Sequence, residues 1–242
     1  RPVTSDNARR LRVWNAQTLI ELAACDVGVV PTHWQKQQFP VGMRDKLQVI
    51  HEGIPAFDLH SLRSQARKRP ANLPESEEIQ TLTYVSRGFE EYRGFPQAMK
   101  TIAILQSLRP NLHALIVGSD LVAYGSGRGD QRSWGEWARS DLPLDSARTH
   151  WMGPLQTKEY HAVLAWSDVH LYFTVPFVLS WSLIEAMAAR CCIVGSATPP
   201  VEELLQEGYS ARLVDFFDSS AQARVIEELL DNPDQRHRLA AA

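Results

Sequence analysis

Two arginines and one glutamate carry the clearest chemistry in this chain. Arg87 and Arg93 lie in the segment Val85-Ser86-Arg87-Gly88-Phe89-Glu90-Glu91-Tyr92-Arg93-Gly94-Phe95, just after an apolar run, Leu82 to Val85, that reads as a strand. Glu185 lies in Pro176-Phe177-Val178-Leu179-Ser180-Trp181-Ser182-Leu183-Ile184-Glu185-Ala186-Met187-Ala188, which runs into the start of an apolar helix. Cations at a strand end, amides at a helix start and a carboxylate that accepts from hydroxyls are the groups that hold a nucleoside diphosphate and its ribose. Fixed guanidinium groups also stabilise the negative charge left on a departing diphosphate, without a metal ion.

Each of these residues has a plainer structural reading. Arg87 and Arg93 could pair with Glu90 and Glu91 on the surface. Gly88 and Gly94 allow close backbone approach of a ligand, or serve as turn glycines. Ser180, Trp181, Ser182 and Leu183 form the turn before the helix, where amides suit phosphate oxygens or a serine simply caps. Gly118, Ser119 and Asp120 end a strand at a sheet's carboxyl edge, where ligands bind in open α/β sheets, although Asp120 could be a loop cap. Among the histidines, His51, His113, His150, His161 and His170 are scattered, and none pairs with a serine or cysteine nucleophile.

The bulk composition narrows the class. At 242 residues, 44% hydrophobic and 22% charged, the chain suits a globular protein of one large domain, or of one domain plus a piece of another. A net charge of −3 gives no global attraction to nucleic acid. The seven tryptophans form no ladder with interleaved basic residues, so no nucleic-acid partner is expected. Arg63, Arg67, Lys68 and Arg69 are followed by Glu75, Glu77 and Glu78, which reads as a solvated face. Cys25, Cys191 and Cys192 are odd in number, two of them adjacent, which argues against a disulfide framework and fits a reducing, cytoplasmic setting. No metal-ligand spacing and no membrane-length apolar run are visible. The chain begins with Arg1, with no visible signal peptide, as an excised piece would.

The elements that must position these residues follow from periodicity. Asn7 to Ala24 reads as a helix, Asp26 to Val30 as a strand, Thr32 to Gln38 as a helical turn capped by Thr32, and Lys46 to Ile50 as a strand. Residues 56–80 read as a surface loop with one short helix. From Leu82 the pattern alternates: strands at 82–85, 112–117, 150–152, 169–173, 191–195 and 211–214 and helices at 95–108, 157–166, 182–189, 200–206 and 219–231. A last helix runs from Pro233 to Ala242. This predicts βαβ units and a parallel sheet. Residues 120–149 read as irregular, which is long for a loop in a compact domain.

The two segments, together with Val117-Gly118-Ser119-Asp120, Gly153-Pro154-Leu155, Ser167-Asp168-Val169 and the stretch from Val194 to Asp215, resemble the donor-binding half of retaining glycosyltransferases of family 4 (group 1), over roughly residues 44–230. The resemblance implies the C-terminal, Rossmann-like half of the GT-B architecture, with residues 1–42 a remnant of the N-terminal domain and 43–242 the nucleotide-sugar-binding domain. It implies catalytic roles for Arg87 and Arg93 at the diphosphate. Donor binding would fall to Gly88, Gly94, Gly118, Ser180, Trp181, Ser182, Leu183 and Glu185, with Glu185 on the ribose and no metal or cofactor. The donor would be a nucleoside-diphosphate sugar carried on UDP or GDP, and the acceptor a carbohydrate or glycolipid. Polysaccharide biosynthesis is the implied setting, with peripheral membrane association open to the longer protein. The fragment alone is expected to be inactive in transfer.

Departures from the pattern keep other readings open. The family carries two glutamates with seven residues between them, and Phe177 stands at the first of those positions. Arg190 replaces the glycine that usually follows Ala-Met-Ala. A branch that binds its sugar through Tyr172, Thr174 or Ser180 is one explanation. A non-catalytic nucleotide-binding or interaction domain, docking through apolar surface near Trp14, Trp34 and Phe39, is another. An epimerase or phosphorylase of the same architecture is a third, though no acid/base pair is evident.

Overall fold

The structure, a computed structural model, describes residues 5–55, 69–70, 73–76 and 78–242. The expected loop over 56–80 lies largely outside the described residues, as do Arg63, Arg67 and Lys68 of the basic cluster. Arg69 donates to the carbonyls of Pro74 and Ser76 and lies over the Trp166 ring. Among the described residues no helix is long and apolar enough to cross a membrane.

The chain divides into two compact units, Arg1–Gly53 and Ile54–Ala242. The first contains α1 (Ser5–Ala24), β1 (Gly28–Val30), α2 (His33–Gln37), a 3₁₀ helix (Val41–Lys46) and β2 (Leu47–Val49). Thr32 caps α2 as the sequence predicts, its Oγ1 accepting from the Gln35 N–H at 3.1 Å. Lys46 Nζ donates to the carbonyls of Leu22, Ala23 and Cys25, satisfying acceptors left over where α1 ends. A small core joins Leu22, Val30 and Leu47, with Phe39 packed against it, while Trp14 of α1 is 68% exposed. Because β2 pairs in parallel with β1, residues 47–53 group with this unit.

The second unit is a six-stranded parallel sheet with helices between successive strands. Its strands are β3 (Gln80–Gly88), β4 (Leu112–Ser119), β5 (Thr149–Gly153), β6 (Val169–Tyr172), β7 (Ile193–Ser196) and β8 (Arg212–Val214). Among the described residues its helices are α3 (Phe95–Leu108), α4 (Trp134–Asp141), α5 (Thr157–Trp166), α6 (Trp181–Ala188), α7 (Pro199–Glu202), α8 (Ser219–Asp231) and α9 (Pro233–Ala241). The spatial order is β5-β4-β3-β6-β7-β8. Read from β3, this is the doubly wound order in which the chain reverses direction across the sheet between its first and fourth strands. The switch point is therefore the β3–β6 boundary, as the Rossmann-like expectation requires.

The strands are apolar on both faces because both faces are covered. Leu112, Ala114 and Ile116 of β4 face one core with Ala98, Met99 and Ile102 of α3 and Ile226 and Leu229 of α8. Leu115 and Val117 face the other way, against Val163 of α5. Leu183 and Ala186 of α6 pack with Tyr172 and Ile193. A buried polar tie, Thr101 Oγ1 to Gln222 Oε1 at 2.6 Å, fixes α3 against α8. At the amino end of the switch point, Asp168 Oδ2 accepts from the Thr81 N–H and hydroxyl, and Thr83 Oγ1 lies 2.8 Å from His170 Nδ1. These contacts hold β3 beside β6.

The stretch 120–149 departs from expectation: it contains α4. The signal was present, since Ser133 and Glu136 form a reciprocal capping box, but the helix is only 8 residues long and lacks a wide apolar face. All three cysteines are free, and burial pushes the adjacent Cys191 and Cys192 thiols up to about 12.

Arg190 follows α6 with φ +58°, in the left-handed region that favours glycine. Its side chain is exposed, so the backbone conformation alone explains why glycine suits this position. Arg190→Gly is expected to raise stability by about 0.5–1 kcal/mol, read as a shift in the chemical-denaturation midpoint at unchanged slope.

His170 is fully buried, and burial holds it at about 4, well below the ordinary imidazole value near 6.5. His113 and His150, stacked with ring nitrogens 2.9 Å apart, are lowered in the same direction, mainly by burial. A group depressed in the folded state binds its proton more readily when unfolded. Its contribution is whole above the unfolded value and is lost as pH falls from 6.5 toward 4, amounting to about 3 kcal/mol for His170. The stability gap between the wild type and His170→Gln should therefore narrow as pH falls from 7 to 4 in denaturant titrations. A pH-independent gap would refute this.

Candidate functional site

The loops that leave β3 and β6 at their carboxyl ends meet at the switch point. The Tyr92 carbonyl accepts from the Val175 N–H at 3.1 Å and from Thr174 Oγ1 at 3.0 Å. Thr174 is itself held by Ser196, whose Oγ accepts from the Thr174 N–H and donates to the Thr174 carbonyl. Gly94 caps α3 with φ +63°, and a Cβ there would stand 2.4 Å from Phe173 Cβ and 2.7 Å from its carbonyl. The two segments singled out in the sequence are thus one structure.

Arg93 sits at the centre. It is 8% exposed, and among the described residues it forms no ion pair. Its guanidinium donates to the Val178 carbonyl at 2.7 Å and lies 4.9 Å from the Phe177 ring centroid and 5.6 Å from that of Tyr124. Its own carbonyl accepts from the Tyr84 hydroxyl, whose pKa burial raises. Arg93, Tyr172, Ser180 and Ser182 line one narrow crevice. Arg87, by contrast, is exposed at the end of β3, and no described residue forms an ion pair with it.

Ser180 is the N-cap of α6. Its Oγ accepts from the Ser182 N–H at 3.3 Å and from the Ser182 hydroxyl at 2.9 Å, and its carbonyl accepts from the Leu183 N–H. Its own N–H donates to the Tyr172 hydroxyl at 2.9 Å. The amides of Ser182 and Leu183 are thus engaged within the turn, while the Ser180 and Ser182 side chains open onto the crevice with Arg93. Trp181 is 67% exposed. Glu185, half-buried farther along α6, accepts from the Tyr160 hydroxyl at 2.9 Å, and burial next to this carboxylate keeps Tyr160 protonated.

Several expected site residues have internal structural causes. The approach expected at Gly88 is made by the Leu121 carbonyl, 2.6 Å from where a Cβ would be, and that at Gly94 by Phe173. Gly118 has φ +136°, and a Cβ there would stand 1.8 Å from the Ser86 carbonyl. Asp120 is a loop cap: its carboxylate accepts from Ser133 Oγ, the Gly135 N–H and Arg139 at the start of α4 and along it. His51 Nδ1 accepts from the Gly53 N–H.

Sequence reasoning missed Glu90. It pairs with neither arginine; it is fully buried, and its Oε2 accepts from the N–H groups of Ala123, Tyr124 and Gly125 at 3.1, 2.8 and 2.8 Å. Backbone partners in a distant loop leave no residue-type signal. Tyr124, Tyr160 and Tyr172 were missed or underweighted for the same reason: each matters through a partner far away in sequence.

No curated protein sequence matches the chain. Solved structures do. HepE from Anabaena, in complex with UDP-glucose, superposes with a TM-score of 0.67 at 18% identity, covering 89% of this chain and 57% of that one. Sucrose-phosphate synthase from Thermosynechococcus elongatus gives 0.66 at 22% identity, covering 93% and 55%. TarM from S. aureus, with fondaparinux, alpha-GlcNAc-glycerol and UDP, gives 0.67 at 14% identity, covering 91% and 40%. The chain thus spans little more than half, or less, of each of these proteins, and the likeness is one of fold. The family model described as "Glycosyl transferase family 4 group" matches residues 1–58, and that described as "Glycosyl transferases group 1" matches residues 65–242. The second match spans most of the chain, and the protein belongs to the group 1 glycosyltransferases.

Proposed function

We propose that the β3–β6 switch point binds a nucleoside-diphosphate sugar and that the longer protein transfers its glycosyl group, with retention at the anomeric carbon, to a hydroxyl of a carbohydrate or glycolipid. The observation that carries this reading is Arg93, a nearly buried guanidinium without a carboxylate among the described residues, set beside the N-terminus of α6. An uncompensated buried cation is costly, and a diphosphate would compensate it.

Arg93 holds the diphosphate and stabilises the charge that develops as the sugar–phosphate bond breaks. Arg87, exposed at the end of β3, supplies a second cation. The Ser180 and Ser182 hydroxyls complete the phosphate contacts. Glu185 accepts from the ribose hydroxyls, its position fixed by Tyr160. This assignment calls for no metal. UDP is the favoured nucleotide, since HepE and TarM were both solved with it, and GDP is the alternative. We place the work on the cytoplasmic side, in polysaccharide assembly, with peripheral attachment to a membrane where the acceptor is a glycolipid.

Phe177 favours a second reading, in which nucleotide binding persists without transfer. Turnover of the full-length protein separates the two.

Titration calorimetry of the chain with UDP, GDP and ADP tests the site. One nucleotide is expected to bind, with affinity reduced about tenfold or more, equivalent to about 1.4 kcal/mol, in both Arg93→Ala and Glu185→Ala. Binding by none of the three, or binding indifferent to both substitutions, would overturn the assignment.

A further inference from the structure

We propose that Tyr92, Tyr124 and Phe177 form the subsite for the glycosyl ring of the donor, and that Glu90 is the positioning residue that builds it. The inference rests on the donor site proposed above.

The argument begins with a buried carboxylate that the proposed chemistry does not use. Glu90 is 0% exposed, and its Oε1 has no hydrogen-bond partner among the described residues. A carboxylate withdrawn from water is costly unless hydrogen bonds replace its hydration. Here Oε2 takes three, from the consecutive amides of Ala123, Tyr124 and Gly125. Consecutive amides converging on one anion form a nest, which fixes the backbone that carries them. The loop after β4 therefore has one defined path at this point, and Tyr124 is in the middle of it.

The consequence is an aromatic collar. The Tyr124 ring lies 5.4 Å from Phe177, and Tyr92 meets Phe177 edge to face at 5.5 Å. Arg93 lies against the Phe177 and Tyr124 rings. Burial alone does not account for the collar, because Tyr92 and Tyr124 remain 40% and 49% exposed. Three rings drawn from three separate loops thus meet beside the cation, Phe177 and Tyr124 against it and Tyr92 against Phe177, and the two tyrosines stay partly open to solvent.

The order of groups along a donor gives those faces a purpose. Glu185 lies five residues into α6 beyond its Ser180 cap, about 7 Å along the axis. With ribose at Glu185 and the diphosphate at Arg93, the group left to place is the sugar. Phe177 lies on the other side of Ser180 in the chain from Glu185. Aromatic faces accept the C–H face of a pyranose and leave its hydroxyls to water or to an acceptor. Such a subsite selects for a ring of pyranose size and shape more than for one particular hydroxyl.

The test compares two ligands that differ only in the sugar. Whichever of UDP, GDP and ADP binds is titrated against its glucose-bearing form, UDP-glucose, GDP-glucose or ADP-glucose, in the wild type, Tyr124→Ala, Glu90→Ala and Glu90→Gln. Tyr124→Ala and Glu90→Ala should weaken the sugar nucleotide by about fivefold to tenfold more than they weaken the bare nucleotide. Glu90→Gln, whose carbonyl oxygen can accept the same three amides, should recover most of the loss. Circular dichroism and denaturation midpoints identify any variant that has lost its fold, and Tyr92→Ala then stands in for it. Equal losses for both ligands, or none for either, would overturn the collar as a sugar subsite while leaving the nucleotide site intact. Failure of all three nucleotides to bind the wild type would remove the donor-site reading itself.

Discussion

The structure around the site depends on keeping one guanidinium out of water with no carboxylate paired to it among the described residues. Arg93 is nearly buried, and what surrounds it is neutral: the Val178 carbonyl, the Phe177 and Tyr124 rings, and the crevice it shares with Tyr172, Ser180 and Ser182. Carbonyl oxygens and ring faces attract a cation but do not neutralise it. The positive charge is therefore not neutralised by these neighbours, which is the basis of the proposed diphosphate site. The strand order requires this arrangement to fall where it does, because the chain reverses across the sheet between β3 and β6. Only at such a point do two neighbouring strands send their loops to opposite sides and leave a crevice between them. The Tyr92 carbonyl, shared by Thr174 and Val175, ties the two loops together there.

Much of the fold was legible because it rests on local rules. The 95–108, 157–166 and 219–231 helices appear at those bounds, since their apolar positions repeat with the helical period and their flanks carry stop signals. The parallel sheet followed from strands alternating with helices. What failed to show was α4, whose 8 residues are stabilised by a capping box and by Asp120 more than by periodicity. Around the candidate site, Arg93 and Ser180 stand out in the sequence because their residue types suit phosphate chemistry and they sit at element ends. Glu90 could not be found, because its partners are the backbone amides of a loop more than thirty positions away. The glycines were legible as necessary but not as to cause. At Gly94 and Gly118 the neighbour that excludes a Cβ is the protein's own Phe173 and Ser86.

Phe177 gains its meaning from this arrangement. In the resembling family a glutamate stands at that position, and here a carboxylate would lie beside the Arg93 guanidinium, which faces the Phe177 ring at 4.9 Å. A carboxylate so placed would form an ion pair with Arg93 and reduce the charge offered to a phosphate. An aromatic ring gives a weaker, non-neutralising contact and adds apolar area. The substitution therefore changes two properties together. Under the proposed donor assignment, it would leave the cation's full charge for the diphosphate and put an aromatic surface where the resembling family has a carboxylate.

The same logic explains why Glu90 is buried instead of sharing the crevice. A carboxylate exposed near Arg93 would compete with the donor for it, yet the loop bearing Tyr124 needs an anchor strong enough to hold three adjacent amides. Turning the charge inward, where backbone N–H groups saturate one oxygen, provides the anchor without placing a second anion among the groups that line the crevice. The unpartnered Oε1 is the residual cost of that arrangement. A glutamine would satisfy the same three donors without any charge. If Glu90→Gln restores the binding that Glu90→Ala loses, the anchor works through geometry, and the negative charge at Glu90 contributes little to the field at Arg93.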